Sequence, residues 1–281
     1  MPGTLYVVAT PIGNLEDMPP RVAATFGLAD FVAAEDTRVT LRLLNHLGLK
    51  KPMGSYFEHN AAQRGGQILA RIQAGESCAL CSDAGMPAIS DPGEQIVTDA
   101  LAMGIRVVPV PGASACVTAL AVSGQPTARF VFEGFLPIPK KLRAARLESL
   151  KHEERTIIFY EAPHKLRATL ADLTAAFGPD RSITLCRELT KLHEEIFKTT
   201  LGGAVARYEA EDPRGEFVLV MAGGEAAPEE GEELTLEDAV ALARRLMDEG
   251  QSASSAAKAA AAKSPFGKGE IYRLLNREVE E

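Results

Sequence analysis

The chain has 281 residues, of which 46% are hydrophobic and 24% charged, and its formal net charge is −8. This balance is typical of soluble globular proteins, and the length suits about two domains of ordinary size. No segment approaches the roughly 18 consecutive apolar residues of a membrane span, and the first residues lack a basic signal segment, so we expect a cytoplasmic protein without membrane partners.

The first half of the chain alternates short apolar runs with helical patterns. This alternation is typical of an α/β domain built on a parallel sheet, which we place at residues 1–123. Its strands are predicted at 4–9, 30–35, 77–82 and 105–110.

A Gly/Pro-rich turn at residues 83–93 follows the third predicted strand and leads into a predicted helix at 93–102. We expect Asp91 to cap that helix, with Pro92 at its first position. The order strand, turn and helix brings backbone N–H groups to the carboxyl edge of a parallel sheet, where open α/β folds hold their ligands. The turn is therefore predicted to be a binding loop.

A similar turn follows the fourth predicted strand. Pro111 and Gly112 lead into a predicted helix at 113–123, where the free N–H groups of the helix start and the Ser114 hydroxyl would suit a carboxylate or a small anion. Alternatively, Ser114 is an ordinary helix cap and Gly112 a turn residue. The G-x-G-x-x-G pattern is absent after the first strand, and the P-loop pattern is absent, so the usual nucleotide sites lack support.

After residue 123 the alternation restarts and predicts a second α/β domain at 124–224, with strands of mixed direction. Its strands are predicted at 130–135, 155–160, 181–187, 195–201 and 216–222, and its helices at 138–152 and 163–177. An acidic segment at 225–234 is predicted to be a mobile linker. Residues 235–281 predict a helix-turn-helix-like module or a docking helix pair, with helices at 235–249, 253–262 and 268–278.

The charge is distributed unevenly. Residues 225–238 hold seven acidic and no basic side chains, whereas residues 138–167 hold eight lysines and arginines against four acids. A polyanion would suit the basic segment despite the negative total. An ordinary solvated helix face explains the same charges equally well.

The four cysteines, Cys78, Cys81, Cys116 and Cys186, lie among apolar neighbours, which is typical of reduced, buried thiols. Cys78 and Cys81 form a C-x-x-C pattern. A spacing of three on a strand sends the two side chains to opposite faces, so we expect core positions and no metal site.

Charged clusters follow several predicted strands, at residues 35–38, 58–60, 161–165 and 187–191. Each has a structural explanation as a helix cap or an ion pair, and a lone histidine near a helix start is usually structural. A cleft between the two domains would gather several of these clusters, so we expect some of them to line the site.

Seven ordered segments carry a family resemblance: ATPIGNLED (9–17), AEDTR (34–38), CSDAGMPAISDPG (81–93), VPVPGASA (108–115), EGFLP (133–137), FYEAPHK (159–165) and RELTK (187–191). Together they resemble the tetrapyrrole-methylase-like class of S-adenosylmethionine-dependent methyltransferases. More narrowly, the chain resembles the bacterial enzymes that methylate the 2′-oxygen of a cytidine in 16S ribosomal RNA of the small subunit.

The resemblance implies the tetrapyrrole methylase fold, with two α/β domains, the methyl donor in the cleft between them and a homodimer. It implies that the donor is bordered by Pro11, Asp83, Ala84, Gly85, Met86, Pro87 and Ile89 and by Pro111, Gly112, Ser114 and Ala115. Met86 replaces the Thr or Asp that is frequent in related enzymes, so a backbone contact is expected there.

Methyl transfer to a ribose needs the hydroxyl to be held in line and its proton removed, and it needs no metal. The candidate bases are Glu161, His164 and Glu35, with Arg38 and Lys191 as phosphate or donor contacts. Two alternatives stay open: methylation of a small tetrapyrrole-like substrate, and a non-catalytic RNA-binding factor of ribosome assembly. The basic segment and the helical tail favour RNA over a small substrate.

Overall fold

The computed structural model describes residues 1–224, 235–248 and 250–277. Two compact units divide the chain, Met1–Gly224 and Glu225–Glu281. The acidic segment predicted to be a linker, 225–234, lies outside the described residues. The division of the first unit into domains at residue 123 stays a prediction.

The first sheet of unit Met1–Gly224 has five strands, all parallel, in the order β3-β2-β4-β1-β5. The strands are β1 (Thr4–Val8), β2 (Phe31–Ala34), β3 (Met53–Ser55), β4 (Cys78–Cys81) and β5 (Arg106–Val110). The helices between and after them are α1 (Pro20–Leu28), α2 (Thr37–His46), α3 (Ala61–Gln73), α4 (Glu94–Ala102) and α5 (Ala115–Val122).

Both faces of this sheet are buried, as expected for parallel strands covered by helices. Because side chains alternate along a strand, Cys78 and Leu80 pack with Ile68 and Ile96 of α3 and α4 on one face. Cys81 packs on the other face, with α1 and α2. The predicted core placement of Cys78 and Cys81 on opposite faces is thus confirmed, and burial raises the pKa of both thiols, that of Cys81 to about 12.

Four of these strands lie where the sequence predicts them. The strand β3 was missed, because Met53-Gly54-Ser55 offers no apolar run. The predicted cap of α4 was wrong: Gly93 occupies the N-cap position, with φ of 152°, and the helix begins at Glu94. Asp91 lies two residues earlier, within the turn, and its carboxyl interacts with the Ser82 side chain instead.

The second sheet has the order β6-β7-β10-β8-β9. Its strands are β6 (Phe130–Phe135), β7 (Thr156–Glu161), β8 (Ser182–Arg187), β9 (Glu195–Thr200) and β10 (Phe217–Met221). Only the β6–β7 pair among these described strands is parallel, so the predicted mixed directions are confirmed. The helices are α6 (Lys140–Ser149), α7 (Pro163–Phe177) and α8 (Leu201–Ala210).

The helix α8 was missed by the sequence analysis. Its first turn contains Gly202 and Gly203, which disfavour a helix on propensity alone. Both positions are crowded: a Cβ atom at Gly202 would lie 3.2 Å from the Pro179 Cβ, and one at Gly203 would lie 2.3 Å from the Thr199 Oγ1. Close packing therefore favours glycine at these two positions, and the same two glycines prevent a helix from being predicted from the sequence.

The helix α5 connects the two sheets. Its Cys116, Ala119 and Leu120 are buried in one cluster with Ile158 of β7 and Val220 of β10. The helix follows β5 of the first sheet directly and packs on the second, so the turn that precedes it faces the ends of second-sheet strands.

The other described unit contains three helices, α9 (Leu236–Asp248), α10 (Ala253–Ala261) and α11 (Lys268–Arg277), which confirms the three predicted there. Its core is rich in alanine and consists of Ala239, Val240, Ala243, Ala256, Ala257, Ala260, Ile271 and Leu275. Among the described residues, no helix combines the length and the apolar character that crossing a membrane requires.

Candidate functional site

A cavity of about 350 Å³ lies in the first unit, where the loops after β4 and β5 meet the ends of strands of the second sheet. The walls are mostly apolar, with a few charged groups. The lining residues are Ile12, Ala84, Gly85, Met86, Ile89, Ser90, Asp91, Ser114, Ala115, Phe135, Tyr160, Glu161, Ala162, Pro163, Cys186, Leu189, Lys191, Glu216, Phe217 and Val218.

Two loops of the first sheet are pinned together at this cavity. Thr10 and Gly85 exchange backbone hydrogen bonds of 2.9 and 3.0 Å, and the Thr10 hydroxyl donates to the Ser82 carbonyl at 3.2 Å. Gly85 has φ of 84°, a conformation that favours glycine, and a Cβ there would lie 3.4 Å from Ile12. The loop after β4 is thereby held against the loop after β1.

Backbone strain concentrates in two loops beside the cavity. Among the described residues, the non-glycine positions with positive φ are Ala88, Ser90, Glu188 and Thr190. Such conformations cost about 1–3 kcal/mol each and persist where the surroundings enforce them, which is typical of ligand sites. The Thr190 hydroxyl is also buried without a hydrogen-bond partner among the described residues.

The start of α5 forms another wall. Ser114 occupies the N-cap position, but its side chain makes no capping hydrogen bond. The alternative that the Ser114 hydroxyl is an ordinary helix cap is therefore wrong. The backbone N–H of Cys116 instead donates to the Tyr160 hydroxyl at 3.0 Å. The Tyr160 ring packs edge-on against Phe132 and Phe135, and burial raises the Tyr160 pKa to about 12.

Glu161 is buried, and both of its carboxylate oxygens are engaged. One accepts from the Ala162 N–H at 2.8 Å, and the other accepts from the Thr169 hydroxyl. The Thr169 oxygen in turn accepts from Arg143 at 2.7 Å. This network fixes the end of β7 and the start of α7, so it gives Glu161 a structural task.

Lys191 lies between two carboxylates. Its Nζ donates to Glu188 at 2.8 Å and to Glu216 at 2.7 Å. Burial lowers the pKa of Lys191, but these two hydrogen bonds outweigh that effect and hold the pKa above its ordinary value. Lys191 is therefore a fixed cation at the cavity wall.

Further acidic residues cluster where β2 and β4 end. The Asp83 N–H donates to Glu35 at 3.2 Å, and the Asp36 N–H donates to Asp83 at 3.0 Å. Burial raises the pKa of Glu35 and of Asp83. Burial, and then the charge of Glu35, raise the pKa of Asp91 to about 6.

Eight of the residues predicted for the site line the cavity: Ala84, Gly85, Met86, Ile89, Ser114, Ala115, Glu161 and Lys191. The other eight lie outside its lining: Pro11, Glu35, Arg38, Asp83, Pro87, Pro111, Gly112 and His164. Arg38 is exposed and paired with Asp36, and His164 is exposed in the first turn of α7. Gly112 packs closely on Ala9, where a Cβ would lie 2.9 Å from the Ala9 Cβ.

The sequence analysis missed several lining residues. Asp91 was interpreted only as a helix cap, although it stands in the predicted binding loop. Tyr160 stands inside the FYEAPHK motif, and that position was the available signal. No sequence signal indicated Glu216, Phe217 or Val218, because only the placement of β10 between β7 and β8 brings them to the cavity.

The sequence profile of the tetrapyrrole (corrin/porphyrin) methylases matches residues 4–205. The chain belongs to this family. The resemblance drawn from the seven sequence segments is thereby confirmed. Solved structures with the same fold include diphthine synthase, with a TM-score of 0.60 and 14% identity over 78% of this chain and 90% of that chain. Another is a uroporphyrin-III C-methyltransferase of Thermus thermophilus complexed with S-adenosylhomocysteine, with a TM-score of 0.56, 17% identity and coverage of 78% and 97%.

Close relatives carry a narrower name. A Synechocystis protein named ribosomal RNA small subunit methyltransferase I is 47% identical over 97% of both chains. A Pseudomonas aeruginosa protein of the same name is 49% identical over 82% of each chain. A Thermotoga maritima protein of that name is 46% identical over 223 residues, which are 79% of this chain and 100% of the relative.

Gly93→Ala is expected to destabilise the loop at the cavity. Gly93 has φ of 152°, and a Cβ there would lie 2.9 to 3.1 Å from Cβ, N and Cα atoms of Ala88, which cannot all move away. We expect a loss of about 1–3 kcal/mol in the free energy of unfolding, measured by urea denaturation. The control is Gly54→Ala, where a Cβ has no neighbour within 4 Å. Equal losses in the two variants would contradict the predicted crowding.

Lys191→Met is expected to lower the free energy of unfolding by about 1–2 kcal/mol at pH 7, because Glu188 loses a charged hydrogen-bond partner. Burial raises the pKa of Glu188, but the hydrogen bonds from Lys191 and the Glu216 N–H hold it below its ordinary 4.5. The stabilisation is therefore present above pH 4.5 and is lost as the pH falls through the folded-state pKa.

The difference between Lys191→Met and the unmodified protein should accordingly shrink in urea denaturation below about pH 4. Lys151→Met is the control, since the Lys151–Glu148 pair is 48% and 72% exposed and such pairs contribute about 0–1 kcal/mol. A loss that is the same at pH 7 and pH 3.5 would speak against the ion-pair explanation.

Proposed function

We propose that this chain transfers the methyl group of S-adenosylmethionine to the 2′-oxygen of a cytidine in 16S ribosomal RNA. The observation that carries the proposal is the 47% identity, over 97% of both chains, to a relative named ribosomal RNA small subunit methyltransferase I. The substrate is the RNA within the small ribosomal subunit, and the protein works in the cytoplasm.

The cavity suits this donor. Its volume of about 350 Å³ is in the range of small-molecule sites, and mostly apolar walls with few polar groups are typical of them. Ala84, Gly85, Met86 and Ile89 would border the donor on one side, and Ser114, whose hydroxyl caps no helix, on another. The donor supplies an electrophilic methyl group on a cationic sulfur, and nearby carboxylates favour that charge.

The remaining work falls to residues of the chain. They must hold the ribose hydroxyl in line with the methyl group, exclude water and accept the hydroxyl proton. Apolar side chains that follow strands of both sheets, such as Ile12 after β1 and Leu189 after β8, close the cavity walls. The Thr10–Gly85 hydrogen bonds and the surroundings that enforce the strained conformations hold these loops in place before the donor binds. Binding therefore requires little further ordering of the loops.

Fewer cations are available to contact RNA than the charge of residues 138–167 suggests. Five of the eight cations in residues 138–167 are neutralised by ion pairs, which leaves Lys140, Lys141 and Lys165. Lys140 and Lys141 are exposed at the start of α6, which follows the cavity residue Phe135. Phe135 and Ile138 are 56% and 77% exposed, so this segment offers apolar surface for bases beside cations for phosphates.

A homodimer belongs to the same proposal. The helices α4 and α5 and the residue after α4 have exposed apolar side chains: Leu101, Met103, Val117 and Val122 are 44% to 61% exposed. A second copy of the chain would cover these apolar side chains. Light scattering should give twice the chain mass of 30.0 kDa, and a monomer mass would contradict the dimer.

Methyl transfer from labelled S-adenosylmethionine tests the function. We expect incorporation into small ribosomal subunits that lack this modification, with the label recovered on a cytidine 2′-oxygen. Parallel incubations contain free 16S RNA or a precorrin-like tetrapyrrole. Label on the tetrapyrrole alone would favour the small-substrate alternative, and RNA binding without transfer would favour a non-catalytic assembly factor.

Lys140→Glu/Lys141→Glu should weaken RNA binding because two phosphate contacts become repulsive. We expect the slope of log affinity against log salt to fall by about 1–2. The matched control is Lys50→Glu/Arg106→Glu, which reverses two exposed cations at the opposite, amino-terminal edge of the first sheet. Equal weakening by both pairs would contradict docking at α6.

A further inference from the structure

Three carboxyl groups line the cavity, and two of them are occupied. Glu161 accepts hydrogen bonds at both oxygens, and Glu216 is paired with Lys191. Asp91 has no ion pair among the described residues, and its carboxyl interacts by hydrogen bonding with the Ser82 side chain. Asp91 is therefore the lining carboxyl group that keeps capacity to accept a proton.

The place of Asp91 in the fold is set by the strained loop. Ala88 and Ser90 both have positive φ, at 69° and 63°, and Gly93 begins the path into α4 at φ of 152°. These turns bring Asp91 into the cavity rather than onto the first turn of the helix. The strained conformation thus places the Asp91 side chain in the cavity wall. A helix cap would not require that conformation.

The surroundings of Asp91 suit proton transfer. The side chain is half-buried, and Glu35, Asp83 and Tyr160 lie within electrostatic range. Lys191, Glu161 and Glu216 line the same cavity from the second sheet. With a pKa of about 6, the Asp91 carboxyl is ionised at neutral pH and is a stronger base than an ordinary aspartate.

We propose that Asp91 is the general base that removes the proton from the ribose 2′-hydroxyl during methyl transfer. This inference rests on the proposed function. The hydroxyl oxygen forms its bond to the methyl carbon as the carbon–sulfur bond breaks, with that electron pair staying on sulfur. The O–H bond breaks at the same time, and its proton passes to an Asp91 carboxylate oxygen and then to water.

The other candidate bases are less well placed. Glu35 lies outside the cavity lining and already accepts the Asp83 N–H. His164 is exposed on α7 and does not line the cavity. Glu161 lines it, but protonation there would compete with the hydrogen bonds that hold α7.

Asp91→Asn tests the assignment in the full chain with small ribosomal subunits as substrate. At saturating donor we expect kcat to fall by about 10²–10⁴-fold, the range for a lost general base. The affinity for S-adenosylhomocysteine, measured by calorimetry, should change by less than about threefold, since a base acts on the ribose. Asp91→Glu should recover part of the rate. Asp99→Asn, on α4 and outside the cavity lining, should leave the rate unchanged.

A readout independent of turnover is the melting temperature. Because the folded-state pKa of Asp91 is raised from 3.8 to about 6, ionisation opposes folding, and stability is lost as the pH rises through that value. Asparagine is neutral at every pH. The Asp91→Asn protein should therefore melt at a higher temperature than the unmodified protein at pH 8, and the difference should disappear at pH 4.

The outcomes separate the two proposals. An active unmodified protein with an equally active Asp91→Asn variant would overturn the base assignment and leave the proposed function standing. Tenfold weaker S-adenosylhomocysteine binding with an unchanged kcat at saturating donor would also overturn it, because Asp91 would then be a donor contact. An unmodified protein that binds S-adenosylhomocysteine but methylates no RNA would overturn the proposed function, and the base assignment with it.

Discussion

The packing of α5 against the second sheet is the contact on which the site depends. Cys116, Ala119 and Leu120 are buried against Ile158 and Val220, so a helix that begins at the edge of one sheet is fixed on the other. Burial of apolar area of this kind is not directional, but the hydrogen bond from the Cys116 N–H to Tyr160 sets the orientation of the helix start. The cavity exists because these two interactions hold the carboxyl edge of the first sheet against one end of the second sheet, where β7 ends and β10 begins.

The cavity contains features that lower the stability of the fold, and neighbouring interactions offset part of that loss. Non-glycine residues with positive φ and carboxyl groups with raised pKa values both oppose folding, and in the described part of the chain they lie in the loops in or near the cavity. The Thr10–Gly85 bridge and the Glu161–Thr169–Arg143 network offset part of that cost. Selection for stability alone would not favour an ionisable, half-buried side chain at position 91. This is why we assign Asp91 a role in the reaction.

The sequence predicted what is local and failed where tertiary structure decides. Apolar runs located nine of the ten described strands, and the Gly/Pro-rich turns located the loops at the cavity. Asp-Pro-Gly is typical of a helix start, so Asp91 was mistaken for a cap; the positive φ of Ala88 and Ser90, which redirects it, has no signature in those residue types. Glu216 reaches the site through the strand order β7-β10-β8, which chain order does not reveal.

The same distinction limits arguments from charge. Counted along the chain, residues 138–167 are a basic segment, but most of its cations form ion pairs with carboxylates such as Asp172, Glu133 and Asp212. What remains is a short cationic start of α6 beside exposed apolar side chains, which resembles a nucleotide contact more than a broad polyanion surface. This contact and the whole cavity lie in the first unit.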